Sequence, residues 1–229
     1  MSMILKCLGS SSKGNCYILE SEKEALVIEA GVPIKEVKKA LDFNVGKIVG
    51  CVVSHSHKDH EGYFSEYEKS GMYVFRPYDE SKACPLTIDY GRFHIQSIRM
   101  THDVPCYGFY ITHPEMGTLV FATDTEYIKY RFKDVNHFLL EANYSDKYID
   151  RDNPKYKHVI QGHMSIDTAC GFLEKNKSGS LRNVVLLHLS DGSSNELEFV
   201  RQAQSVVGNE VNVVAADKGV QVNLSLAPF

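Results

Sequence analysis

Positive charge is scarce in this chain. Lysine and arginine number 25 against 29 aspartates and glutamates, giving a formal net charge of −4. That balance carries no strongly basic nucleic-acid footprint and argues against tight non-specific binding through a basic surface. It leaves room for an enzyme whose bound cations meet phosphate directly. No Cys-x-x-Cys pair occurs among Cys7, Cys16, Cys51, Cys84, Cys106 and Cys170. Several of them lie in apolar runs and read as small buried hydrophobes, not as a disulfide framework. No apolar stretch is long enough to span a bilayer, and the start Met-Ser-Met-Ile-Leu-Lys lacks a signal-peptide pattern. A reducing cytoplasm and no membrane partner are therefore expected. No low-complexity segment, short repeat or Pro/Ser-rich linker divides the sequence. One domain over residues 1–229 is expected, and that length suffices for a well-buried core.

Short β-branched or apolar runs predict strands at Met3–Leu8, Cys16–Ser21, Ala25–Glu29 and Ile48–Ser54. Further strands are predicted at Met72–Phe75, Phe93–Met100, Gly108–Thr112, Leu119–Thr123, His137–Glu141, Val184–Leu189, Val211–Ala215 and Val220–Leu224. Helices are predicted over Pro33–Leu41, Ser165–Lys177 with Ser165 as N-cap, and Ser194–Val207. Strands early, helices interspersed and two similar halves suggest an α+β architecture of two sheets packed face to face with helices outside.

Imidazole and carboxylate are concentrated in one place. Between Ser54 and Gly62 the chain reads Ser-His-Ser-His-Lys-Asp-His-Glu-Gly, so His55, His57, Asp59 and His60 crowd together at the end of a buried strand. Residues two apart on extended backbone point the same way, so His55 and His57 can converge on one metal. A turn would then bring Asp59 and His60 toward a second position. His102, Asp124 and His188 each follow a predicted strand and complete the donor set. His55, His57, His102 and Asp124 would hold one metal; Asp59, His60, Asp124 and His188 would hold the other. Nitrogen and oxygen donors without cysteine suit zinc, manganese or iron. Two such metals typically lie about 3.5–4 Å apart, and a hydroxide shared between them could attack phosphorus in line or a carbonyl carbon. Asp59 is also placed to orient that hydroxide.

His163, in Gln161-Gly-His-Met-Ser165 at the mouth of a helix, is surplus to the donor count. It is expected to act as an acid near the leaving oxygen or to stabilise phosphoryl charge. His94, His113, His137 and His158 lack comparable company and read as surface or core residues. The loop Gly9–Asn15 lacks P-loop spacing and reads as a hairpin turn near the active centre.

The ordered set His-x-His-x-Asp-His, His102, Asp124 and His188 resembles the metallo-β-lactamase superfamily over essentially the whole chain. That likeness implies an αββα sandwich with the metals at the sheet edge. The segments Gly9–Tyr17, Gly162–Ser165 and His188-Leu-Ser190 with Asn195 resemble the YycJ-like branch, which implies DNA exonuclease activity. The Gly-His-Met-Ser element is also similar to phosphodiesterases that open cyclic phosphates and to tRNA-end-processing endonucleases. There a histidine at the position of His163 assists cleavage. Glu29 departs from the aspartate usual in relatives, and Glu126 from a glycine. No cysteine stands at the second metal position, which speaks against antibiotic hydrolysis.

These features together predict a two-metal phosphodiesterase or nuclease acting on DNA; Lys6, Lys13, Lys58, Arg76, Arg92 and Arg99 could form a local positive rim, but a solvated scatter is the expected reading for most of them. The competing expectations are a small cyclic-phosphate phosphodiesterase, a thioester or lactone hydrolase using the same hydroxide, and an interaction protein on a relic site.

Overall fold

The structure is a computed structural model. It describes residues 2–79, 86–152, 154 and 156–226; Cys84 and the side chain of His158 lie outside them. In chain order the strands are β1 (Ile4–Ser11), β2 (Gly14–Glu20), β3 (Ala25–Ile28), β4 (Ile48–Val52), β5 (Val74–Phe75), β6 (Thr87–Tyr90) and β7 (Phe93–Arg99). They continue as β8 (Tyr107–His113), β9 (Gly117–Ala122), β10 (His137–Glu141), β11 (Asn183–Leu187), β12 (Asn212–Ala215) and β13 (Gln221–Asn223). The helices are α1 (Ile34–Ala40), α2 (Lys58–Glu61), α3 (Phe64–Lys69), α4 (Tyr156–Gly162), α5 (Ile166–Asn176) and α6 (Glu196–Val207).

Two sheets form, in the orders β13-β1-β2-β3-β4-β5 and β12-β11-β10-β9-β8-β7-β6. Side-chain alternation explains why they stack between helices. In β2, Tyr17 and Leu19 enter the core between the sheets, while Cys16 and Ile18 join the core beneath α1 and α3. In β10, Leu139 faces the opposite sheet, while Phe138 and Leu140 pack with Phe172 of α5 and Phe199 of α6. Strands buried on both faces read as unbroken apolar runs, as β10 and β11 do. The expected α+β, αββα sandwich is the architecture found.

The short elements α2, α3, α4 and β6 were not expected. Asp59 and His60 lie on a one-turn helix where a turn was predicted. Helix α5 is capped by Ser165, whose Oγ accepts from the Thr168 N–H at 3.1 Å. Helix α6 begins at Glu196, two residues later than expected, and is capped by Asn195. Cys7, Cys16, Cys51, Cys106 and Cys170 are buried free thiols. Among the described residues no helix is long and apolar enough to cross a membrane.

Parallel pairing sets the level of the site. Strands β9, β10 and β11 run side by side, with Leu140 opposite both Ala122 and Leu186. The residues that leave these strands at one edge are Asp124, Glu141 and His188. Strand β4 delivers His55 from the other sheet.

Candidate metal centre

The loop after β4 is fixed by its neighbours. The Ala30 N–H donates to the His60 carbonyl at 2.7 Å, and the Gly31 N–H to the Asn15 carbonyl at 3.0 Å. Gly31 is pressed so closely that a Cβ there would sit 1.8 Å from the Asp59 carbonyl oxygen. Asp124, His188 and Glu29 adopt left-handed backbone, with φ of 47°, 55° and 69°. Each such residue costs about 1–3 kcal/mol, and such strain gathers at functional sites.

Four overlapping donor groups result, each with its atoms within 4.8 Å of one another: His55, His57 and His102; His55, His60 and Asp124; Asp59, His60 and His188; and Asp124, Glu141, His163 and His188. All seven residues expected as metal ligands are thus brought to one place, together with His163. Asp124 sits centrally: its Oδ2 lies 2.9 Å from His60 Nε2 and its Oδ1 3.1 Å from His163 Nδ1.

Outer contacts orient the imidazoles. His102 Nδ1–H donates to the Gly162 carbonyl at 2.9 Å, which leaves Nε2 as the lone-pair nitrogen, 3.3 Å from His57 Nδ1. His55 Nδ1 meets Ser54 Oγ at 2.8 Å. The His188 N–H donates to Ser10 Oγ at 2.9 Å, and Asn143 Nδ2–H donates to the His188 carbonyl at 2.8 Å. Glu29, fully buried, accepts from the Ser54 N–H at 3.2 Å and lies 3.5 Å from His60 Nδ1. Its longer side chain therefore still buttresses the loop.

The donors fit divalent cations. Among the described residues, buried Nε2 of His55 and Nε2 of His188 have no hydrogen-bond partner, a cost that a metal bond removes. The electrostatics agree. Burial, then His60, hold His55 well below its ordinary pKa and keep it a neutral donor. Burial disfavours charge on Asp59 and Asp124, yet His188 and His60 hold both carboxyls well below the usual range. Against burial, Asp124 and Glu29 raise His60, and Asp124, Asp59 and Glu141 lift His188 to about 9. The same negative field suits bound cations.

Glu141 was missed from sequence. Its Oε1 lies 2.6 Å from His163 Nδ1 and 3.3 Å from His188 Nδ1, while Oε2 accepts from the Thr125 and Met164 N–H groups at 3.0 and 3.2 Å. Against burial, Glu141 and Asp124 lift His163 to about 11. The available signal was a lone carboxylate ending the otherwise apolar run His137-Phe-Leu-Leu-Glu141.

Lys6, Arg76 and Arg92 take no part in a positive rim. Lys6 binds Glu20 and the Ala40 carbonyl, Arg76 binds Glu61 and Asp79 over the Phe64 ring, and Arg92 binds Glu115. These pairs neutralise charges that sequence alone leaves bare. His113 also has a partner, Glu24 at 3.1 Å, and His94 has Asp89 at 2.7 Å. A cavity of about 510 Å³ adjoins the centre between the Ser10 loop and Ser190, and acidic Asp191, Glu196 and Asp217 line it beside Lys13 and Lys218.

The architecture decides the fold family. The YhfI protein of Bacillus subtilis, a metallo-β-lactamase fold protein, superposes with a TM-score of 0.74 at 17% identity, covering 97% of this chain and all of that one. This chain has the metallo-β-lactamase fold. By sequence it is similar to the exodeoxyribonuclease YycJ of Bacillus anthracis, 23% identical over 235 residues and 89% of either chain. It is similar as well to the exodeoxyribonuclease WalJ of Streptococcus pneumoniae, 22% identical across 96% of this chain and 91% of the relative. No family model matches the chain. The expected likeness to YycJ-like metallo-β-lactamase-fold proteins therefore holds. The donor clusters and these relatives together support a metal-dependent hydrolase.

Proposed function

We propose that the chain, as one domain in the cytoplasm, is a two-metal phosphodiesterase that cleaves DNA from an end. One observation carries this reading: His163 is locked between Glu141 and Asp124, at 2.6 and 3.1 Å, beside the donor clusters. His55, His57, His102 and Asp124 would hold one cation, and Asp59, His60, Asp124 and His188 the other. When bound, such cations supply Lewis acidity and an acidic water. Asp59 orients the attacking water. His163, kept protonated by two carboxylates, hands a proton to the leaving oxygen, a role a phosphodiester needs and a thioester does not. The likeness to two exodeoxyribonucleases supports DNA as substrate.

Metal-loaded protein incubated with end-labelled single-stranded and duplex DNA tests the reading, with zinc, manganese and magnesium in separate arms. Progressive shortening of the label is expected. Turnover of a small chromogenic phosphodiester with no DNA cleavage under any metal would move the assignment to a cyclic phosphate. A His163→Ala variant with full activity would move it to carbonyl chemistry.

A further inference from the structure

We propose that the coil between β9 and β10, with the two cavities beside it, is a binding surface for single-stranded polynucleotide. The inference rests on the phosphodiesterase reading and adds where the strand is held.

The coil begins at the metal centre. Asp124 opens it, and the Glu126 N–H donates to the carbonyl of Thr101, the neighbour of His102, at 3.2 Å. Between the exposed anions Glu126 and Asp134 the sequence is Tyr127-Ile-Lys-Tyr-Arg-Phe-Lys133, with three cations. The residues alternate. Lys129, Arg131 and Lys133 are exposed, whereas Ile128, Tyr130 and Phe132 are half-buried. Phe132 stacks on Tyr110 with centroids 6.1 Å apart and meets Phe172 edge-on at 6.2 Å, and its N–H donates to Asn176 Oδ1 at 2.8 Å. The inward residues pin the segment as those of an edge strand would, so the cations are presented in a fixed row.

Cavities of about 450 and 390 Å³ flank this row, and Tyr130 and Arg131 line both. Lys129 and Lys175 add charge to the first, and Arg99 to the second. Among the described residues, no aspartate or glutamate lines either one, in contrast to the acidic cavity beside Ser10. Although the chain's net charge is −4, cations gather along the coil that leaves the metal centre at Asp124. Tyr127 is 46% exposed and lines the first cavity, so an aromatic face is offered among the cations. Cations that follow a backbone and aromatic faces that accept unstacked bases are the two components of sequence-tolerant single-strand binding. An acidic peptide would use the cations and leave the tyrosines idle.

The test uses full-length protein in the presence of chelator, titrated into a fluorescent oligothymidylate at several salt concentrations. Replacing Lys129, Arg131 and Lys133 by alanine together should weaken binding about tenfold or more and make the log–log salt dependence shallower by about 2, since each phosphate contact on a single strand contributes about 0.7. Tyr127→Ala should weaken binding to oligothymidylate and leave binding to an abasic strand unchanged. All variants should hydrolyse bis(p-nitrophenyl) phosphate like wild type once metal is loaded, which shows that the fold and centre are intact. Unchanged affinity and salt slope in the triple variant overturns the inference, as does displacement of the strand by polyglutamate as readily as by unlabelled oligothymidylate. If wild type degrades DNA while the triple variant binds normally, this surface falls and the phosphodiesterase reading stands. If wild type cleaves no phosphodiester with any metal, that reading falls, and the chelator isotherms still decide this one.

Discussion

Glu141 Oε1 lies 2.6 Å from His163 Nδ1, and its second oxygen is held by two backbone N–H groups. The carboxylate therefore cannot swing away, and it aims and charges the imidazole. Glu141→Gln should lower kcat for DNA about 100-fold or more with little change in KM, a loss in the range of general acid–base catalysis. Metal content measured by elemental analysis should stay at the wild-type level. Loss of metal would instead make Glu141 a ligand and His163 a bystander.

Asp124 belongs to two of the donor groups and touches both His60 and His163. Asp124→Ala should bind less than half of the wild-type metal and lose activity. Chelator should lower the melting temperature of wild type and leave that of the variant unchanged, because a ligand at a hundred times its Kd stabilises a fold by about 2.7 kcal/mol. Two ions retained per chain with activity intact would break the bridging assignment.

Glu29 reaches His60 Nδ1 and the Ser54 N–H from a fully buried position. Glu29→Ala should strand both groups, costing about 1–3 kcal/mol for an unsatisfied buried donor. Loss of such a carboxylate behind a metal-binding histidine typically costs about 10–100-fold in metal affinity. Competition against a chromogenic chelator reads the second effect, and urea denaturation of metal-free protein the first. Equal affinities in the two proteins would show that Glu29 supports only the fold.

His137 is buried far from the metal centre. Burial holds it down from 6.5 to about 4, and its ring donates to the Met116 carbonyl at 2.9 Å and accepts from Asn183 at 3.0 Å. The unfolded chain takes up its proton at a higher pH than the folded chain. Stability from this group is therefore present above pH 6.5 and drains away as pH falls toward about 4. A displacement of this size corresponds to roughly 3 kcal/mol. Urea denaturation around pH 7 and around pH 5 should show a steeper loss in wild type than in His137→Gln. Parallel losses in the two proteins would place the titration elsewhere.

Much of this molecule can be read along the chain because its signals are local. Paired histidines after a buried strand, and single donors after three later strands, announce themselves in sequence, and strands buried on both faces leave continuous apolar runs such as Asn183–Leu187. What could not be read depends on distant partners. Glu141 gains its meaning from His163 and His188, which arrive on other segments. Arg76 and Arg92 meet Glu61 and Glu115 only once the chain has folded. Helix α2 is four residues long, too short for any periodicity to declare. The cationic row at 129–133 alternates with aromatic residues and resembles any half-buried strand until the cavities beside it are seen.

The donors leaving β9, β10 and β11 descend from three neighbouring strands tied rung to rung. Slipping one strand by a single residue would turn its donor to the opposite face and break two ladders at once. The cleft is thus assembled by the sheet before any cation arrives, and the cation enters as a guest in a finished room.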